Sequence, residues 1–318
     1  MYNELMKLVI QIPAYNEEST ISTVLEALPK KLNNISEIYT LVINDGSKDE
    51  TSNIAKKYCN EVIDIEQNKG LANAFMVGVN RAIELGADVL VNIDADNQYC
   101  IDDIEKLISP IIQNKTDISI GARPINKIKE FSFLKKFLQK LGSFIVKNIS
   151  GINVKDAPSG FRAYSKEAIL KMNIFSNFSY TVESLLQAKD KNLSVMNVDI
   201  SLNPQKQRKS RLFKNIFDYI FKQTKTLLRF WVIYSPAKFF ANLANIFLFF
   251  GLLIGIRFLY YFFFVTGVGH IQSLILCAIL LIISFMLYML AVLGDLFSIN
   301  RKILEDIQYE LRKQKCKK

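Results

Sequence analysis

Two patterns of apolar and polar positions divide the chain. From residue 7 to about 122, short apolar runs alternate with amphipathic stretches. Residues 7–12 read as a strand, followed by a helix with Ile21, Val24, Leu25 and Leu28 on one face. Further strands are predicted at 38–43, 61–65, 87–93 and 117–121, and helices over about 50–59, 71–85 and 102–113. Strands alternating with helices predict a parallel sheet covered by helices on both faces. Ligands in such sheets bind beyond the carboxyl ends of the strands. Polar clusters fall at four of those ends, at 13–17, 44–47, 67–70 and 94–98, and are expected to converge on one crevice.

Beyond residue 236 the alternation gives way to long apolar runs. Residues 271–294 carry no charge, and 239–265 are apolar apart from Arg257 and a few Asn. About 20 apolar residues cross the hydrocarbon of a bilayer, so two transmembrane helices joined at 266–270 are predicted. Lys and Arg crowd the segment before 239 and the tail after Asp295, while the 266–270 turn has none. That asymmetry predicts a hairpin with both termini cytoplasmic, in the plasma or inner membrane. Arg257 lies roughly 24 Å along its helix from Ala241, where snorkelling to headgroups explains it better than a role inside the span. Residues 213–231 and 133–149 alternate aromatic and aliphatic positions with lysines at helical spacing. The first reads as a helix lying in the membrane interface. The second reads equally as a core-facing helix. The expected organisation is a catalytic domain over 1–205, a basic and amphipathic segment over 206–236, two spans over 237–297 and a basic tail over 298–318.

Composition narrows the function. The chain has 318 residues, 50% of them hydrophobic, with 40 Lys+Arg against 30 Asp+Glu and a net charge of +10. This excludes a disordered chain. The basic residues flank apolar stretches, so anionic lipid accounts for them and nucleic acid is not an expected partner. Four scattered cysteines and one histidine exclude a disulfide framework, a zinc cage and Ser-His-Asp chemistry. Residues 1–7 do not read as a secretory leader. Dinucleotide and P-loop glycine fingerprints are missing.

The sharpest chemical signal is the sequence DADNQ at 94–98, directly after the strand VLVNI. Two carboxylates one residue apart at a strand end suit a hard divalent cation such as Mg²⁺ or Mn²⁺, shared with substrate phosphates. Asp94 and Asp96 are therefore the metal candidates, and the carbonyl oxygen of Gln98 can add to them. Glu183, in a helical stretch with Val182, Leu185, Leu186 and Ala188, invites a general-base role, but a cap or an ion pair explains it better.

With these residues in view the chain resembles a known family. PAYNEE at 13–18, VINDGSKDET at 42–51, NKGLANA at 68–74, DADNQ at 94–98 and SGFRAY at 159–164 are similar to family 2 glycosyltransferases of the GT-A fold. The basic KQRKSRL at 206–212 and the apolar hairpin make the closer resemblance one to polyprenyl-phosphate glycosyltransferases, which include the dolichyl-phosphate mannose synthases. The resemblance implies an α/β GT-A domain, with a nucleotide-sugar donor, a polyprenyl phosphate acceptor and Mg²⁺ or Mn²⁺ as cofactor. By position it assigns Pro13, Tyr15, Glu17, Asp45, Lys69 and Gly70 to the nucleoside side of the donor. It assigns Asp94, Asp96 and Gln98 to the metal bridging the diphosphate. Arg123, Arg162, Arg208, Ser210 and Arg211 become candidates for the acceptor phosphate and the donor diphosphate, with Asp96, Arg123 and Arg162 nearest the chemistry. The family outcome is inversion by single displacement. Asn44 departs from the family, which commonly has Asp there, and altered donor contacts are expected. A homo-oligomer is left open. Two other functions compete: direct transfer to a glycan, with the hairpin only an anchor, and a non-enzymatic membrane scaffold. The strand-end clusters argue against the scaffold.

Overall fold

The structure is a computed structural model and describes residues 6–124, 147, 151–175, 180–203, 225, 228–229, 231–265 and 270–316. The chain divides into two compact units, residues 1–210 with 306–318, and residues 211–305.

The first unit is built on a seven-stranded sheet. Its strands are β1 (Met6–Ala14), β2 (Ile35–Asp45), β3 (Glu61–Ile65), β4 (Val89–Asn92), β5 (Ile118–Ala122), β6 (Arg162–Ser165) and β7 (Val195–Asp199), in the spatial order β3-β2-β1-β4-β6-β5-β7. β1 pairs in parallel with both β2 and β4, β2 with β3, and β5 with β7. β6 runs antiparallel between β4 and β5, so the sheet is mostly parallel but mixed. The chain winds outward from β1 to β3 and then returns to place β4 on the other side of β1. That reversal is the topological switch point at which such sheets open a crevice.

The helices of this unit are α1 (Ile21–Ala27), α2 (Thr51–Ala55), α3 (Leu71–Glu84), α4 (Asp103–Ile112), α5 (Lys166–Lys171) and α6 (Tyr180–Asp190). Alternation within β1 decides which helix covers which face. Leu8, Ile10 and Ile12 join Val42, Val89 and Val91 in one core with Ile21, Val24 and Leu25 of α1 and Ile104, Leu107 and Ile108 of α4. Gln11 points the other way, towards α3, where a Cβ on Gly78 would run into its side-chain oxygen. α3 presents a wholly apolar or small face there, with Ala72, Ala74, Phe75, Gly78, Val79 and Ala82 buried.

The unit is completed from the far end of the chain. Arg312 is buried and donates to the carbonyls of Leu170 and Met172 at 3.2 and 2.7 Å and to Asn80 Oδ1 at 2.9 Å. A guanidinium thus satisfies the free carbonyls at the C-terminal end of α5, where a positive charge also meets the helix dipole favourably. Tyr309 donates to the Glu167 carboxylate.

The second unit contains α7 (Pro236–Phe264), of 29 residues, and most of α8 (Ile271–Lys315), of 45 residues. Both are long and apolar enough to cross a membrane. They meet through small residues, which let helix backbones approach. A Cβ on Gly251 would lie 3.1 Å from Leu281, and one on Gly255 would lie 3.1 Å from Cys277 Sγ. Ser284 Oγ donates to the Ala244 carbonyl at 3.0 Å. Arg257 stacks over the Tyr261 ring at 5.5 Å. The basic segment after residue 297 is helical to Lys315, a continuation of α8 without a break. Apart from residues 147, 225, 228, 229 and 231, the amphipathic stretches 133–149 and 213–231 lie outside the described residues.

Candidate active site

The loops after β1 and β2 lock together before any ligand is considered. Asn16 N–H donates to Ser47 Oγ at 2.9 Å, Glu17 N–H to Thr51 Oγ1 at 2.8 Å and Lys48 N–H to Asn16 Oδ1 at 2.8 Å. Asn16 takes a left-handed conformation (φ 53°), which Asn tolerates better than most residues. Pro13 is buried within β1 opposite Ile43, while Tyr15 just beyond is 38% exposed. Glu17 accepts from Thr20 Oγ1 at 3.1 Å.

Asp45, at the end of β2, is only 3% exposed. Its two carboxylate oxygens accept the backbone N–H groups of Lys69 and Gly70 at 2.9 and 2.8 Å. Three residues assigned to the nucleoside from sequence are thus brought together, with Asp45 shaping the loop that carries the other two. Gly46 must be glycine here: its φ is +71°, and a Cβ would lie 2.6 Å from Asn68 N. Asn44 turns to the outer strand. It donates to Asp64 Oδ1 at 2.8 Å and accepts Ser47 N–H at 3.1 Å. An Asp at 44 would set a second carboxylate against Asp64, so the departure from the family has a local electrostatic reason.

DADNQ follows β4 at the switch point. Asp94 is half-buried, Asp96 is exposed, and Gln98 N–H donates to Asp96 Oδ1 at 3.1 Å. Burial pushes the Asp94 carboxyl well above the ordinary carboxylate range, and the neighbouring Asp96 charge adds to the rise. Asn97 is left-handed (φ 55°). Asn203, from the chain just after β7, clamps this turn, donating through Nδ2 to Asn97 O, Asn97 Oδ1 and Tyr99 O at 3.0–3.1 Å.

The loop 156–161 closes the other side. Gly160 lies so close to Asp94 that a Cβ would sit 2.6 and 2.7 Å from its carboxylate oxygens. Gly160 is held from below by a buried network in which Asn92 donates to its carbonyl and to Tyr180 Oη, each at 2.9 Å, while Tyr99 Oη accepts Gly160 N–H at 3.2 Å. Asp156, fully buried, grips Arg123 in a fork, with Nε and Nη2 donating at 2.6 and 3.0 Å. Burial disfavours the charge on Arg123, but the carboxylates of Asp156 and Asp94 outweigh it and hold the guanidinium protonated above its ordinary range.

Arg162 is a correction. It is fully buried, and its guanidinium donates to the carbonyls of Ser159, Ala157 and Thr181 and to Ser184 Oγ at 2.6–2.8 Å. A side chain so enclosed does not meet a substrate phosphate; it pins the 156–161 loop to α6. Glu183 is buried as well and accepts the Phe175 N–H at 3.0 Å, which ties the chain between α5 and α6 to α6. Arg208, Ser210 and Arg211 lie outside the described residues. Asp156 and Asn203 were not singled out by sequence. Asp156 stands three residues before the SGFRAY motif, the one hint available, whereas Asn203 offers none.

The carboxylate pair suits a divalent cation by donor chemistry. Asp94 and Asp96 are hard oxygen ligands, and the glycine at 160 leaves room beside Asp94 that any side chain would fill. Among the described residues no group of three or more His, Cys, Asp or Glu could hold a metal alone. The pair therefore fits a cation that takes its remaining ligands from phosphates and water, as Mg²⁺ does.

Residues 9–172 match the family Glycosyl transferase family 2. A UDP-N-acetylglucosamine–dolichyl-phosphate N-acetylglucosaminyltransferase of Methanococcus voltae is 37% identical over 223 residues, covering 63% of this chain and 86% of that protein. A dolichol-phosphate mannosyltransferase of Pyrococcus furiosus is 32% identical over 227 residues, 68% of this chain and 62% of that one. Among solved structures, a Mycobacterium tuberculosis glucosyl-3-phosphoglycerate synthase in complex with Mn²⁺, UDP and glucosyl-3-phosphoglycerate overlays with a TM-score of 0.53. At 16% identity, covering 72% of this chain and 80% of that one, it speaks for the GT-A fold alone. With the motifs of its sequence carried on that fold, the chain belongs to glycosyl transferase family 2.

Proposed function

We propose that this glycosyltransferase moves a single sugar from a nucleotide-sugar donor, UDP- or GDP-linked, to a polyprenyl phosphate at the cytosolic membrane face. The observation that carries the reading is the convergence of Asp94, Asp96 and Arg123 beyond the ends of β4 and β5. A carboxylate pair and a guanidinium side by side suit a site where two phosphorylated substrates meet. The relatives named above supply the acceptor class, and the two apolar helices support a substrate that lives in the bilayer.

The nucleoside belongs along Tyr15, Glu17 and the Asp45–Lys69–Gly70 loop. Asp94 and Asp96, with the Gln98 carbonyl, would hold a Mg²⁺ or Mn²⁺ ion, which when bound neutralises charge on the departing diphosphate. The acceptor phosphate is already anionic near neutral pH, with a second pKa of about 6 by analogy with phosphorylated side chains. It attacks without a general base, consistent with Glu183 being committed to a backbone amide. Arg123 orients that phosphate and lowers the repulsion between two anionic substrates, with Arg208, Ser210 and Arg211 as its expected helpers. The Lys and Arg flanking α7 and α8 support cytoplasmic termini.

The test is transfer by the purified full-length protein in detergent, with radiolabelled UDP- and GDP-sugars, Mg²⁺ or Mn²⁺, and a short polyprenyl phosphate. Label entering the organic phase only when lipid phosphate and metal are both present is the expected result. Label that stays in water-soluble or glycan products would refute the lipid acceptor.

A further inference from the structure

We propose that Asp156 is a positioning residue that holds Arg123 off the Asp94–Asp96 pair and so keeps that pair open to a divalent cation. This rests on the reading of Asp94 and Asp96 as the metal seat. The 156–161 loop joins Arg123 to that pair: Asp156 holds Arg123 through the fork while Gly160 packs against the Asp94 carboxylate, which brings the guanidinium charge within reach of Asp94 and Asp96. A guanidinium and a carboxylate pair attract strongly where protein excludes water. Left to itself, Arg123 would swing onto the carboxylates and occupy the place of the metal.

The geometry opposes that swing. Asp156 takes the Nε and Nη2 edge of the guanidinium with both of its oxygens and also accepts the Arg123 backbone N–H at 3.3 Å. Two parallel bonds to a planar fork fix its rotation as well as its position. Asp156 can serve as a fixed point because its loop is itself immobilised. Arg162 ties down the carbonyls of Ala157 and Ser159, and the Asn92 network ties down Gly160. Asp156 is also fully buried, which keeps water from competing for the fork. One loop therefore sets both partners of the site: Gly160 limits where Asp94 sits, and Asp156 limits where Arg123 points.

The experiment reads metal binding directly, by electron paramagnetic resonance of free Mn²⁺ with full-length protein in detergent, alone and with UDP or GDP. In Asp156→Asn the freed arginine competes for the carboxylates, and the apparent Mn²⁺ Kd rises by about 10- to 100-fold, the range seen when an outer partner of a metal site is lost. Adding Arg123→Gln removes the competitor, and the double variant returns to within about threefold of the wild type. A purely structural Asp156 would leave the double variant as weak as the single one. That outcome, or unchanged affinity in Asp156→Asn, overturns the proposal. If Asp156→Asn does not fold, Arg123→Lys decides, because lysine keeps the charge but cannot make the fork. Weaker Mn²⁺ binding in Arg123→Lys is expected, and equal or tighter binding overturns the proposal. Wild-type protein that binds no Mn²⁺ under any of these conditions overturns the metal seat itself and the inference with it.

Discussion

Replacing Gly160 by Ala separates catalytic geometry from stability. The new Cβ would sit 2.6 and 2.7 Å from the Asp94 oxygens and 3.0 Å from its Cγ. Ordinary contact requires the carboxylate to retreat by roughly 0.5–1 Å. Ligand distances in a metal site are held to about 0.2 Å, so a shift of that size breaks the seat. Misplacing a reacting group by about 1 Å costs on the order of 100-fold in rate. The fold is affected far less. Gly160 is outside the left-handed region, and Ala restricts the unfolded chain by about 0.4–1 kcal/mol, which offsets part of the local strain. The expected result is a Tm within a few degrees of the wild type, a transfer rate down by about 100-fold, and a half-saturating Mn²⁺ concentration raised by about tenfold or more. Turnover within about threefold of wild type at unchanged metal dependence would show that the Asp94 carboxylate is not where catalysis needs it.

Further predictions follow from the polar network. Arg162→Met removes the guanidinium that bridges the carbonyls of Ala157, Ser159 and Thr181, and the denaturant midpoint should fall by the equivalent of about 3–5 kcal/mol. Any surviving activity should show an ordinary KM for the lipid, and a selective rise in that KM would return Arg162 to the acceptor site. Asn44→Asp sets a carboxylate against Asp64, whose own pKa is lowered by donation from Ser52, Asn44 and Lys56 against the effect of burial. The crowded pair should hold a proton more tightly folded than unfolded, so the destabilisation, about 1–3 kcal/mol, is full above the raised pKa and fades as pH falls towards the ordinary carboxylate range. Thermal melts at pH 8 and pH 5 check this, and an equal deficit at both would refute it. Arg312→Ala exposes the end of α5 and should lower the stability of the catalytic unit by about 1–3 kcal/mol, without Arg312→Lys restoring it, because two carbonyls and Asn80 Oδ1 need a fork of donors.

Much of this protein follows from its one-dimensional pattern. The alternation through 7–122 determined the strands β1 to β5 and the helices between them, because burial on a sheet has period two and burial on a helix does not. Apolar runs longer than a bilayer is thick, the first interrupted only by Arg257 and a few Asn, determined the two apolar helices. Asp94 and Asp96 stood out as candidates because the carboxylate pair directly follows a buried strand and is accompanied by polar clusters at the other strand ends. Most of the family motifs were legible for a similar reason, since PAYNEE, VINDGSKDET, NKGLANA and DADNQ lie at or just beyond the ends of β1 to β4. What the tertiary structure alone decided concerns contacts between segments distant in sequence. The antiparallel insertion of β6 is invisible to periodicity, since a four-residue strand carries too little pattern. Arg162 and Arg123 are both arginines beside glycine-bearing motifs, yet one is enclosed by carbonyls and the other is paired with a buried carboxylate, which depends on where α6 and the 156–161 loop come to rest. Arg312 lies more than a hundred residues beyond the strands whose domain it completes. No local signal predicts such partners, because the energy of a buried charge is set by which oxygens surround it, and only the folded chain brings those oxygens to it.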